Sequence, residues 1–214
     1  MIVRQLAITL VPALFMLTAV AVVGASSQIS MGALTRDIAA TADLHPLTGV
    51  LSTLGFFLWC TAAVICLFAA VLLRRLNQTT DFLFLLSSAL LSAYLMMDDA
   101  FLFHEALVSR YLKINETVFL VILGGSVLIY LFKFRKNILR SRYSILLLAL
   151  GFLFFSVAFD VSLQLRFWQL GDWQYFIEDG AKWLGIACWC SYYVQTSYLL
   201  LVNTFNESGL ANEM

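Results

Sequence analysis

Six long stretches of this chain carry no charge, and their lengths constrain what it can fold into. A helix needs about 20 mostly apolar residues to cross the roughly 30 Å of hydrocarbon in a bilayer. Residues 5–35, 46–73 and 183–206 are each long enough alone. Residues 82–97, 117–132 and 143–159 hold only 16, 16 and 17 residues. Sixteen residues reach about 24 Å, which falls short of a full crossing. The run ending at 132 is completed by Lys133, whose ammonium can snorkel, and by Phe134. The other two are completed only by drawing in Asp98 and Asp99, or Asp160. These three carboxylates therefore belong in or just under one face of a membrane.

Composition agrees with that setting. Apolar residues make up 62% of the chain and charged residues 12%, against about 45–50% and 25% in soluble domains. Mean hydropathy is +0.89. A water-soluble fold of 214 residues has too little interior for so much apolar surface. Basic and acidic residues number 13 each, so no nucleic-acid partner is implied. Cys60, Cys66, Cys188 and Cys190 sit inside apolar runs and show no metal-type spacing.

The expected fold is all-α: a polytopic transmembrane bundle forming one domain over 1–214. Its six helices are expected at about 5–26, 48–74, 82–109, 116–134, 142–165 and 176–203. No β-barrel alternation recurs. The connection at 27–47 is the longest, with room for a short interfacial helix before Pro46 opens the second span. Placing both termini in the cytoplasm puts Arg4, Arg74, Arg75, Lys133, Arg135, Lys136, Arg140 and Arg142 inside. Arg36, Arg110, Lys113, Arg166 and Lys182 then lie outside, a split that satisfies the positive-inside rule. Arg4, an apolar run and Val23-Gly24-Ala25 also read as a cleavable signal peptide, whose removal would leave five spans. The expected location is a bacterial inner (plasma) membrane.

In that topology three helices deliver ionisable groups to one outer layer. The third carries Asp98, Asp99, His104 and Glu105; the fifth carries Asp160; the sixth opens with Glu178, Asp179 and Lys182. At 100° per residue, Tyr94, Asp98 and Glu105 share a stripe, with Ser88, Ser92 and Asp99 beside it. Ser156, Asp160 and Gln164 align on the fifth helix, and Glu178, Lys182, Gly185, Trp189, Tyr192 and Thr196 on the sixth. Polar stripes of this kind face protein or water, not lipid. So many carboxylates need a counter-charge from a metal, a shared proton or Lys182. The metal-ligand candidates are Asp98, His104, Asp160, Glu178 and Asp179. The catalytic candidates are Asp99 or Glu105 as general base, with Lys182. A His nitrogen favours zinc, iron or manganese, and an all-oxygen set favours calcium or magnesium. The plainer reading of His104, Glu105, Glu178 and Asp179 is a pair of helix ends in the headgroup layer. Acids in a first turn also complement the helix dipole, and Glu178 with Lys182 form a favourable i,i+4 pair.

The run Glu178-Asp179-Gly-Ala-Lys182 resembles the paired-acid-and-lysine motif of glutamate-dependent intramembrane proteases. The likeness covers five residues, with Asp in place of the second Glu. The Asp and His residues of outer-leaflet helices are similar to those of the alkaline ceramidase and adiponectin-receptor group, whose closing His pair has no counterpart here. Both resemblances imply hydrolysis within the membrane. The leading expectation is thus a metal-dependent hydrolase acting on a lipid, amide or peptide bond reached from the outer leaflet. The alternatives are a cation or proton pathway using the same carboxylates, and a structural subunit of a membrane complex. A Schiff-base photoreceptor on Lys182 fits poorly, because that lysine lies so near its helix start.

Overall fold

The computed structural model describes residues 2–27, 29–36, 38–45, 47–101, 116–164 and 173–207, and all regular structure among them is helical. The chain divides into two compact units, Met1–Val50 and Leu51–Met214.

The first unit contains α1 (Ile2–Ser26), α2 (Met31–Thr35) and α3 (Ile38–Thr41). Ser30 caps α2 by accepting the Ala33 amide at 3.2 Å, so a short helix does form in the connection. At Gly24 α2 comes close to α1: a Cβ there would stand 2.6 Å from the Met31 sulfur, the flexible end of that side chain.

The second unit contains α4 (Val50–Arg75), α5 (Thr79–Phe101), α6 (Glu116–Lys133), α7 (Arg135–Arg140), α8 (Tyr143–Gln164) and α9 (Trp173–Glu207). Among the described residues, three helices are long and apolar enough to cross a membrane: Val50–Arg75, Thr79–Phe101 and Tyr143–Ser162. Ala13–Ser26 and Val121–Lys133 are shorter apolar segments.

The turn from α4 into α5 is fixed locally. Gln78 donates to the Leu73 carbonyl at 2.9 Å and Asn77 to Arg74 at 3.3 Å, the paired bonds of a Schellman motif. The motif needs a left-handed residue, and Asn77 supplies it at φ 60°. The motif ends α4 and turns the chain into α5, with Arg74 over the Phe82 ring at 5.2 Å. On α4 the buried residues Gly55, Trp59, Ala62, Cys66, Ala69, Ala70 and Leu73 recur every three to four positions, a mostly small-residue stripe that lets a partner helix come close.

That partner is α9. At 35 residues it is about 52 Å long, and it touches every other long helix of this unit. Trp189 meets Trp59 of α4 edge to face, with ring centroids 5.6 Å apart. Its indole donates to Ser92 of α5 at 3.0 Å. Tyr193 bonds Tyr130 of α6 at 2.8 Å. Against α8 the fit is tightest at Gly185, where a Cβ would lie 2.7 Å from Leu153 and 3.1 Å from the Ala149 carbonyl oxygen. α9 is not among the apolar spans because its central position fills it with buried Trp, Tyr, Thr and Ser instead of lipid-facing Leu and Val. The sequence expectation placed this helix at 176–203. The structure extends it at both ends, so Glu178 and Asp179 lie beyond its first turn, and that macrodipole account of them is removed.

Candidate functional site

The antiparallel pairing of α5 and α9 sets Asp99 opposite Lys182, and the two form a salt bridge. The carboxylate is 8% exposed and the lysine side chain 39%, so only the lysine keeps substantial contact with its surroundings. Asp98, the preceding residue, is buried at 6% exposure. Ser52 of α4 and Asp179 and Trp183 of α9 join the pair around a cavity of about 30 Å³. A water needs about 10–15 Å³ of such space, so the cavity admits water. An anion, a cation and a hydroxyl-bearing residue thus surround a small space.

The wall of this cavity is also the wall of a second space. Leu51 and Trp183 line both. The second is an apolar groove of about 730 Å³ between α8 and α9, bordered by Leu147, Phe152 and Phe155 on one side and Phe176, Ile177 and Leu184 on the other. Gly151 and Gly180 also line it, and a Cβ at either would meet no described atom within 4 Å. The Trp183 indole N–H is buried and has no hydrogen-bond partner among the described residues.

Beyond Lys182, α9 carries a different polar network. Ser88 donates to the Phe84 carbonyl at 2.8 Å and bonds Tyr130 at 2.7 Å. A hydroxyl has one proton, so Ser88 must accept from Tyr130, and Tyr130 must in turn accept from Tyr193. Ser141 likewise donates to the Ile138 carbonyl at 2.7 Å and so accepts from Tyr192 at 2.8 Å. Both chains end on a backbone carbonyl. Where α7 meets the start of α5, Asn137 donates to Asp81 at 2.8 Å.

Of the residues singled out in the sequence, Asp99, Asp179 and Lys182 come together around the small cavity. Asp98 is adjacent in α5, while Glu178 on α9 and Asp160 on α8 are partly buried and lie outside the cavity lining. His104 and Glu105 lie outside the described residues. Among the described residues no three His, Cys, Asp or Glu gather as a metal set. Ser52 and Trp183 carried no signal in the sequence; one is a lone Ser in an apolar run and the other a single Trp following Lys182.

Residues 7–196 match the family DUF8692, a domain of unknown function. No curated protein and no solved structure matches the chain.

Proposed function

The chain belongs to the DUF8692 family, and for this member we propose a membrane-embedded hydrolase whose reaction centre is the Asp99–Lys182 pair. The observation that supports this reading is the pair's setting: a nearly dry carboxylate, its ammonium and Ser52 around a small space that admits water. In the proposed reaction Asp99 accepts a proton from that water as its oxygen bonds to an acyl carbon. Lys182 stabilises the charge developing on the carbonyl oxygen. The acyl C–O or C–N bond then breaks, and the proton passes from Asp99 to the departing alkoxide or amine.

The same proposal includes six spans with both termini in the cytoplasm of a bacterial inner membrane, which places the cavity toward the outer leaflet. Labelling should find Lys136→Cys accessible from the inside and Leu170→Cys from the outside; the reverse pattern overturns that orientation. The metal expected from the sequence would draw on Asp98, His104, Asp160, Glu178 and Asp179, of which His104 lies outside the described residues, and no step above passes through one. Its own check is elemental analysis: stoichiometric zinc, iron or manganese lost on both Asp98→Ala and Asp160→Ala supports it, and metal-free protein with full turnover overturns it.

A proton or cation pathway is the second reading, favoured by the hydroxyls that continue along α9. The order of their protons counts against it, since each chain terminates on a carbonyl that passes no proton onward. The Trp189 N–H, a donor only, cannot relay one either. The deciding experiment incubates the purified protein in phosphatidylcholine vesicles with ester- and amide-linked acyl substrates. Product release that falls about 10²–10⁴-fold in Asp99→Asn, the usual contribution of a general base, is the expected result. No release, together with Asp99-dependent cation flux, would favour the pathway.

A further inference from the structure

The groove between α8 and α9 has no role in the reaction as written. We propose that it seats the acyl chain of a membrane lipid, whose carbonyl end reaches the Asp99–Lys182 cavity past Trp183. The inference rests on the reading of that cavity as a reaction centre, and names its substrate class.

Four features of the groove carry it. Its lining is apolar throughout, which excludes a polar headgroup and suits hydrocarbon. From Leu147 to Phe155 and from Phe176 to Leu184 it runs about 12 Å along each helix, a channel along the helices rather than a shallow patch. It is continuous with the polar site through Leu51 and Trp183, so a chain lying in it ends where the carboxylate and ammonium stand. Both its walls have a glycine facing open space, at Gly151 and Gly180, whereas Gly185 a turn further on is filled to contact by Leu153. The Gly185 contact falls on α8 at Ala149 and Leu153, between residues that line the groove, so close packing and open space lie side by side along the same pair of helices.

Trp183 supplies an independent pointer. Two indole N–H groups, of Trp59 and Trp183, are buried without an acceptor among the described residues, and of the two Trp183 alone lines both spaces. A small turn of the indole that joins cavity and groove gives the N–H an acceptor in the ester or amide carbonyl of the incoming chain. The occupant is therefore an acyl group with a carbonyl, not an alkyl chain alone. Its source is the bilayer, because a chain with these spans has hydrocarbon at the groove's open side.

The test uses the full chain in phosphatidylcholine vesicles, with a phosphatidylcholine carrying a photoactivatable diazirine in its acyl chain as probe. Saturable labelling of the peptides containing Phe152, Phe155 and Leu184 is expected, falling at least tenfold in Gly151→Leu/Gly180→Leu and unchanged in Asp99→Asn. An ester-linked competitor should displace the probe about tenfold better than its ether analogue, roughly one hydrogen bond's worth, and Trp183→Phe should erase that preference. Labelling that rises linearly, spreads equally to the exposed faces of α4 and ignores the glycine substitutions overturns the inference. So does displacement of the probe by α1, a second copy of the chain or an apolar peptide. Saturable labelling without product release leaves the lipid site standing and overturns hydrolysis alone.

Discussion

The two halves of α9 differ in how they meet their neighbours. From Gly185 to Thr204 the helix is packed to contact: Trp189, Tyr192 and Tyr193 are almost fully buried, and their polar atoms find partners in Ser92, Ser141 and Tyr130. From Trp173 to Leu184 it borders a small polar cavity and a large apolar groove, with Trp173, Tyr175 and Phe176 strongly exposed. One helix thus holds a region whose buried Trp and Tyr bond across to neighbouring helices and a region whose Asp99–Lys182 pair borders open space. The first kind of order fixes the bundle, and the second is what binding and chemistry require. Gly185 marks the boundary.

The sharpest way to break this contrast is to place the same side chain on either side of it. Gly185→Leu drives a branched side chain into Leu153 and toward the Ala149 carbonyl oxygen, and should cost about 3 kcal/mol or more of stability, at the upper end of overpacking effects. Gly180→Leu adds the same atoms to open groove and should change stability by under about 0.5 kcal/mol, with a helix-propensity gain on its side. Reversible unfolding in mixed micelles measures both. Equal losses would mean that the groove is closed in solution.

The packed half was the more legible of the two in the sequence. Its stripe of Gly185, Trp189, Tyr192 and Thr196 follows from helical period alone, and all four are buried. What period could not show is the partner of each residue. Tyr193 lies off that stripe, and Tyr130 lies in the apolar run between Ser126 and Lys133; their bond spans 63 residues of chain. The open half was legible as chemistry and not as shape. Span-length arithmetic drew Asp98, Asp99 and Lys182 toward one layer, and Asp99 does meet Lys182. The groove is lined at the glycines 151 and 180, and where two helices leave room between their side chains is a property of the pair that no single-helix pattern encodes. Asp160 illustrates the same gap: its depth followed from counting residues, but which way its neighbours left room did not.

A second prediction tests whether the open half draws any stability from its ion pair. Lys182→Met leaves the Asp99 carboxylate, 8% exposed, without its ammonium. Because the lysine is 39% exposed, the full cost of breaking a buried pair does not apply, and a loss of about 1–3 kcal/mol is expected. Lys182→Met combined with Asp99→Leu should recover most of it, since an apolar pair of similar size often replaces an ion pair without loss. Turnover should not recover. A double variant as unstable as the single one would show that Asp99 is held by other groups.

The smallest effect comes from the packed half and tests the direction of its hydroxyl chain. With Ser88 committed to the Phe84 carbonyl, protons run from Tyr193 to Tyr130 to Ser88. Tyr193→Phe therefore deletes a donor at the head of the chain. Tyr130 keeps its own acceptor, and only one incoming bond is lost, at a cost of about 0.5–1 kcal/mol. Tyr130→Phe instead removes the acceptor of a proton on Tyr193, a fully buried ring. That leaves an unanswered O–H and should cost more, about 1–3 kcal/mol. Equal effects, or Tyr193→Phe the larger, would reverse the chain. Ser88 would then have a proton to give toward α6, and the packed half of α9 would become a candidate relay.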